Sequence, residues 1–138
     1  MKSNAITVST TVNAPVARAW EVFTSPEQIT KWNFASDTWQ CPTATNDIRT
    51  GGAFNWRMEA KDGSMGFDFS GTYSNVTPLE LIEYNLGNRE VQVRFEAVSS
   101  EQTRIIEVFD IEDENSSELQ RSGWQAILEN YKKQVESL

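Results

Sequence analysis

The C-terminal segment of this chain, GWQAILENYKKQVESL (residues 123–138), is the feature that most constrains its fold. Apolar side chains recur in it at intervals of four, three, four and three residues, which places them on one face of an α-helix. They are Trp124, Leu128, Tyr131, Val135 and Leu138. No other segment predicts a helix of comparable length, so this apolar face must be covered by a β-sheet.

Most of the preceding chain alternates between apolar and polar residues with the period of two that is typical of half-buried strands. The predicted strands are residues 6–12, 53–60, 67–74, 79–86, 91–97 and 103–111, with a further short strand ending near Ile48. The dipeptides Asp62-Gly63 and Gly87-Asn88 predict tight hairpins between successive strands. Two short helices are predicted after the first strand, one beginning at Pro15 and one at Pro26 with Ser25 and Gln28 in a capping box.

These elements predict an α+β fold in which an antiparallel sheet of six or seven strands wraps around one long C-terminal helix. A helix is about 10–12 Å wide and each strand adds about 4.8 Å, so one helix covers only two or three strands. The sheet must therefore curl around the helix, and we expect a gap between them at one end. The length of 138 residues suits a single domain over residues 1–138.

The predicted inner surface is rich in aromatic side chains. The candidate ligand-binding residues are Trp32, Phe54, Trp56, Phe67, Phe69, Tyr73, Tyr84, Phe95, Glu107, Phe109, Leu128 and Tyr131. Such walls are typical of small-molecule pockets, but aromatic residues on an inward strand face also fill ordinary cores. Periodicity alone does not decide between a cavity and a filled core. Along the helix, we expect Trp124 at the packed end and Leu128 and Tyr131 nearer the ligand.

Glu107 is the candidate site residue with the most distinctive chemistry. The face assignment of its strand is ambiguous, but if Ile105 and Phe109 point inward then Glu107 does too. A carboxyl group among aromatic rings would have a raised pKa because its charged form is desolvated. The alternative is a solvated Glu107, through a twist of the sheet edge or a partnership with Arg94.

Composition excludes several classes of function. The chain has no histidine and a single cysteine, Cys41, which removes Ser-His and Cys-His nucleophile pairs and the common zinc sites, and we expect no metal or cofactor. The formal charge of −8 disfavours binding to nucleic acid or to anionic membrane surfaces. No apolar run suits a membrane span or a signal peptide, so we expect a soluble, cytoplasmic protein.

Four segments, NAPVARAWEVFTSPEQITKW (13–32), DIRTGGAFNWRMEAKDGS (47–64), GTYSNVTPLELIEY (71–84) and Gly123-Trp124, resemble the activator of Hsp90 ATPase homologue-1-like family. This family belongs to the START/Bet v 1-like superfamily. The resemblance implies a helix-grip fold with a hydrophobic cavity between helix and sheet, and it favours a cavity over a filled core. Within it, we interpret Asp47 and Arg49 as a structural pair and Gly123 as a residue that makes room beside Trp124.

Three functions remain open at this point, because fold alone does not select among them. The first is a binding protein for a small apolar or amphipathic molecule. The second is an enzyme of cyclase, dehydratase or hydrolase type that uses Glu107, Tyr84 or Tyr73 as acid or base. The third is a co-chaperone-like interaction module with a place in the stress response. A homodimer is also left open.

Overall fold

The computed structural model describes residues 4–138 and contains three helices and eight strands. The elements are β1 (Ile6–Val12), α1 (Val16–Thr24), α2 (Pro26–Trp32), β2 (Trp39–Gln40), β3 (Ala44–Asn46), β4 (Ala53–Ala60), β5 (Gly66–Thr77), β6 (Leu81–Asn85), β7 (Glu90–Ser99), β8 (Gln102–Phe109) and α3 (Ser117–Glu136). The predicted α+β helix-grip class is confirmed.

The strands form one antiparallel sheet in the order β1-β8-β7-β6-β5-β4-β2, and β3 pairs with β4 beside β2. Seven strands therefore lie along the path of the sheet, as predicted, and β3 is a short addition to it. Tight turns join β4 through β8 in sequence. In one of them the backbone N–H of Leu86 donates to the carbonyl of Arg89 at 2.8 Å, which encloses the predicted turn Gly87-Asn88.

The sheet bends where β5 pairs with β6. A side chain at Gly71 would place its Cβ 2.1 Å from the carbonyl oxygen of Asn85, so only glycine permits the close approach of these two strands. Just beyond it, the pairing register shifts between Tyr73 and Asn75. Such a bulge increases local twist and curls the sheet toward the helices.

The helix ends differ in detail from the sequence-based expectations. Helix α3 begins at Ser117, ahead of the segment 123–138, and the hydroxyl of Ser116 caps it by accepting the N–H of Leu119 at 3.1 Å. The capping box predicted at Ser25 does not form, because this hydroxyl donates to the Glu27 carboxylate instead. Leu138 lies beyond the end of α3 and is 55% exposed, so its predicted place in the apolar stripe is wrong. Within residues 4–138, no helix is long and apolar enough to cross a membrane.

Helix α3 lies over the β1 edge of the sheet and against α1 and α2. The side chains of Arg121 and Gln125 donate to the carbonyls of Thr7 and Ser9 in β1, at 3.0 and 3.1 Å. These bonds hold the N-terminal half of α3 toward one side of the sheet. Strands β4, β5 and β6 are therefore left without a helix directly above them, and this geometry positions the site.

Candidate functional site

A cavity of about 160 Å³ lies between the N-terminal half of α3 and the uncovered strands. Its walls come from all three helices and from β4, β5, β6 and β8, together with the residue that follows α2. The lining residues are Phe23, Trp32, Asn33, Trp56, Met58, Phe67, Phe69, Tyr84, Glu107, Trp124 and Ile127. Seven of these eleven side chains are aromatic, so the interior is a largely apolar surface of ring faces and edges.

The exposure of the lining residues identifies the entrance and the floor. Phe67 of β5 is 49% exposed, and Trp124 and Ile127 of α3 are half-buried. The entrance therefore lies between β5 and α3. Trp56 and Tyr84 are buried and form the floor on β4 and β6, where the period-two alternation turns them inward.

Glu107 lies at the floor with its side chain inward. Its strand neighbours Ile105 and Phe109 are fully buried, which resolves the ambiguous face of β8, and Glu107 itself is 6% exposed. Among the described residues none forms a hydrogen bond or ion pair with its carboxyl group, and the alternative partner Arg94 is exposed and contacts Gln92 instead. Glu107 is therefore a buried carboxyl group without a protein partner.

Burial raises the pKa of Glu107 from 4.5 to about 8, because the charged form loses its hydration. Between these two values, Glu107 keeps its proton in the folded protein and releases it in the unfolded chain. Stability is consequently lost as the pH rises from about 4.5 through about 8, since the charge must then be buried.

Trp56 supplies a second polar group without a partner. Its indole Nε1–H is buried and, among the described residues, meets no acceptor. The ring is fixed by neighbours, stacked on Phe69 with centroids 5.6 Å apart and tilted against Phe54 at 5.0 Å. A buried donor that makes no hydrogen bond is rare and costly, and here it belongs to a residue whose ring lines the cavity.

Tyr84 and Asn33 complete the polar part of the lining. Burial, and secondarily the nearby Glu107 carboxyl, raises the pKa of Tyr84 well above its ordinary value of 10, so its hydroxyl stays protonated. The Asn33 amide donates to two sulfur atoms, Met58 Sδ at 3.3 Å and Cys41 Sγ at 3.9 Å. Sulfur is a weak acceptor, so this amide remains available to a stronger one.

Six of the predicted site residues line the cavity, and six do not. Those at the cavity are Trp32, Trp56, Phe67, Phe69, Tyr84 and Glu107. The other six, Phe54, Tyr73, Phe95, Phe109, Leu128 and Tyr131, are buried in the surrounding core. They therefore lie outside the cavity lining. Tyr73 donates to the side-chain oxygen of Asn46, and Phe95 packs against Trp20 with centroids 5.1 Å apart.

The residues of α3 that border the cavity are not those predicted to lie nearer the ligand. Leu128 and Tyr131, expected nearer the ligand, lie in solid core, whereas Trp124, expected at the packed end, lines the cavity. Trp124 also stacks on Phe109 with centroids 4.0 Å apart, which screens Phe109 from the cavity. The physical reason is that α1 and α2 occupy the space beside the C-terminal half of α3.

Sequence reasoning missed five lining residues. They are Phe23, Asn33, Met58, Trp124 and Ile127. A signal existed for two of them. Met58 alternates with Trp56 in β4, and Ile127 lies one helical turn after Trp124, so both share a face with a residue already recognised as apolar. Asn33 carries no such signal, because its position depends on where α2 ends.

Two further interpretations concern Asp47, Arg49 and Gly123, which lie outside the cavity lining. Arg49 Nε and an Asp47 carboxylate oxygen are 2.9 Å apart, and both side chains are exposed, so the predicted structural pair is present at the surface. A Cβ at Gly123 would meet nothing within 4 Å beyond its chain neighbours and its own helix backbone, so the role of this glycine beside its neighbour Trp124 stays a prediction. Among residues 4–138, no group of three or more Cys, Asp or Glu side chains is arranged to hold a metal ion.

Comparison with known proteins agrees with this architecture. The family model described as "Activator of Hsp90 ATPase homolog 1-like protein" matches residues 13–136. A protein from Cytophaga hutchinsonii, solved in solution, is 46% identical, with 98% of this chain and 94% of that chain covered and a TM-score of 0.84. Among curated proteins none matches the chain.

Two other solved structures are similar over nearly their whole length. The AHSA1-like protein of Aeromonas hydrophila is 34% identical, with a TM-score of 0.86 and coverage of 96% of this chain and 93% of that one. A protein from Chromobacterium violaceum, solved by crystallography, is 26% identical, with a TM-score of 0.86 and coverage of 96% and 98% respectively. The arrangement of helices and sheet is thus common to these relatives.

Proposed function

The chain belongs to the Activator of Hsp90 ATPase homolog 1-like family, and on that premise we propose that it binds a small, largely apolar molecule between α3 and strands β4–β6. Folds of this kind commonly carry a ligand in this position. Membership of the family supports the fold, and the residues around the cavity support the kind of ligand.

The size of the cavity limits the enclosed part of the ligand. A dry apolar cavity of about 150 Å³ in an engineered protein accommodates benzene. The present cavity of about 160 Å³ therefore suits one six-membered ring or an alkyl group of similar bulk. A larger ligand would extend outward between Phe67 and Ile127, where the cavity opens.

One observation carries the proposal: the Glu107 carboxyl, 6% exposed and without a described protein partner, lines an apolar cavity. A core that served only stability would satisfy such a group or replace it with an apolar one. A bound molecule with a polar atom would satisfy it. An apolar pocket with a few orienting polar groups is the usual composition of a ligand site.

An acid–base enzyme is the second candidate, and Glu107 supports it. A carboxyl group with a pKa of about 8 exchanges protons readily near neutral pH, as general acids and bases must. We rank binding first because the lining holds no second carboxyl group and no histidine. The co-chaperone alternative ranks third, because the unsatisfied groups lie inside the fold, where a protein partner does not reach them.

Ethylbenzene is a suitable probe, since it is apolar and slightly larger than benzene. We expect it to shift the indole N–H resonance of Trp56 in NMR spectra. At about ten times its Kd, it should raise the melting midpoint by about 3–6 °C.

Replacing Ile127 by Trp should narrow the entrance and abolish both effects. The matched control is Leu119→Trp, on the same helix but 60% exposed and outside the lining, and it should leave both effects intact. Binding that survives Ile127→Trp unchanged, or no response of the native protein to ethylbenzene, would contradict a ligand cavity at this position.

A further inference from the structure

The cavity has an unbalanced charge. Glu107 is the only acidic residue among the eleven that line it, and none of the eleven is basic. Every other polar group of the lining is neutral, and Arg94, the alternative partner of Glu107, is exposed and contacts Gln92 instead. A buried carboxyl group without a counter-ion is costly, and a ligand that brings the counter-ion removes this cost.

We propose that the cavity is selective for organic cations, in particular primary amines on an aromatic or alkyl body, with the ammonium group held by Glu107. This inference rests on the proposed function and specifies its ligand class. The hydrocarbon body occupies the apolar volume, and the ammonium group donates to the carboxylate at the floor.

The aromatic lining strengthens the same preference. Seven rings surround the cavity, and the faces of aromatic rings carry negative potential that attracts a cation. Two of them, Phe67 and Trp124, stand at the entrance. The whole chain carries a formal charge of −8, which favours the approach of cationic rather than anionic molecules.

The groups facing Glu107 define a pH dependence. Tyr84 of β6 and Tyr131 of α3 lie near it, and burial raises the pKa of each well above 10, so neither changes charge near neutral pH. Glu107 alone titrates there, at about pH 8. Below that value an amine must first displace a proton from Glu107, and its affinity should fall by up to about tenfold per pH unit.

Three probes with the same number of heavy atoms isolate the charge: benzylamine, benzyl alcohol and ethylbenzene. An alkylamine stays protonated at pH 8, since its pKa resembles that of lysine, about 10. By calorimetry at about pH 8, we expect benzylamine to bind at least about tenfold more tightly than either neutral probe. Its advantage should shrink toward pH 6, whereas the affinity of ethylbenzene should stay constant.

Glu107→Gln keeps the shape of the side chain and removes its charge. We expect this variant to bind benzylamine no more tightly than the neutral probes and to show no pH dependence of benzylamine affinity. Its affinity for ethylbenzene should be retained. The matched control is Glu101→Gln, in the exposed turn between β7 and β8, which removes a carboxyl group outside the cavity and should change neither the preference for benzylamine nor its pH dependence.

Equal binding of the three probes would overturn the selectivity and leave the proposed function standing. Failure of all three to bind would overturn both. An amine preference that persists in Glu107→Gln would place the cation elsewhere and also overturn the inference. If that variant does not fold, the pH profile of the native protein decides, because a flat profile for benzylamine between about pH 6 and 8 contradicts a role for Glu107.

Discussion

The two halves of helix α3 have the same apolar periodicity and different surroundings. In the C-terminal half, Leu128, Tyr131 and Val135 are fully buried against other helices and the sheet. In the N-terminal half, Trp124 and Ile127 are half-buried and border a cavity. One helix therefore closes a solid core at one end and forms the wall of a pocket at the other.

The difference comes from what lies opposite each half. Tyr131 meets Phe23 of α1 and Trp32 of α2 with ring centroids 5.4 and 5.2 Å apart, and its hydroxyl donates to the Ala19 carbonyl at 2.5 Å. Opposite Trp124 there is only the curved sheet, where Phe69 is the nearest ring of β5 at 6.3 Å. Short helices fill the space at one end, and nothing of equal bulk fills it at the other.

The largest expected effect is at the packed half. Tyr131→Ala should lower the free energy of unfolding by about 3–5 kcal/mol, because it leaves a cavity between three helices. Chemical denaturation followed by circular dichroism measures this loss. Tyr131→Phe is the matched control and should cost only about 1 kcal/mol, the value of one hydrogen bond. A loss below about 1 kcal/mol for the alanine variant would mean that the two halves are packed alike.

An intermediate effect is expected at the cavity wall. Trp124→Ala should lower the free energy of unfolding by about 1–2 kcal/mol, less than Tyr131→Ala. The reason is that Trp124 is half-buried and the substitution removes mainly its stacking on Phe109. The affinity for ethylbenzene should fall by about tenfold, as measured by calorimetry.

Trp20→Ala provides the control for this change. Trp20 is also half-buried and packs edge-on against Phe95, but it lies outside the cavity lining. It should lose similar stability and keep the affinity for ethylbenzene. Equal affinity losses in both variants would show that Trp124 acts through general stability rather than through the cavity.

The smallest effect is expected at Gly123. Because an added Cβ meets nothing within 4 Å, Gly123→Ala should raise the free energy of unfolding by about 0.5–1 kcal/mol through better helix propensity. Thermal denaturation measures the gain, and Ser122→Ala, at an exposed neighbouring position, should give a smaller one. A destabilised Gly123→Ala would reveal a close contact at the entrance and a tighter N-terminal half than the structure shows.

Much of this architecture follows from local pattern. The alternation in β4 and β6 correctly turns Trp56 and Tyr84 inward, because successive side chains of a strand must point to opposite faces. In β8 the alternation left two faces open, and only packing turns Glu107 inward. The spacing in α3 correctly assigns Leu128, Tyr131 and Val135 to its buried face. The absence of a basic partner for Glu107 could not be foreseen, since the sequence pattern also allowed an ion pair between Glu107 and Arg94.

The sequence by itself determined the class of fold, the main strands, the long helix and, except in β8, which face of each is apolar, because these depend on bond geometry and on the spacing of neighbouring residues. Only the tertiary structure decided which end of α3 borders the cavity and which aromatic residues merely fill the core. Phe54 and Tyr73 share inward faces with Trp56 and Phe69, yet they lie outside the lining. Periodicity specifies the direction of a side chain, whereas the volume left in front of it depends on distant segments, here α1, α2 and the curl of the sheet at Gly71.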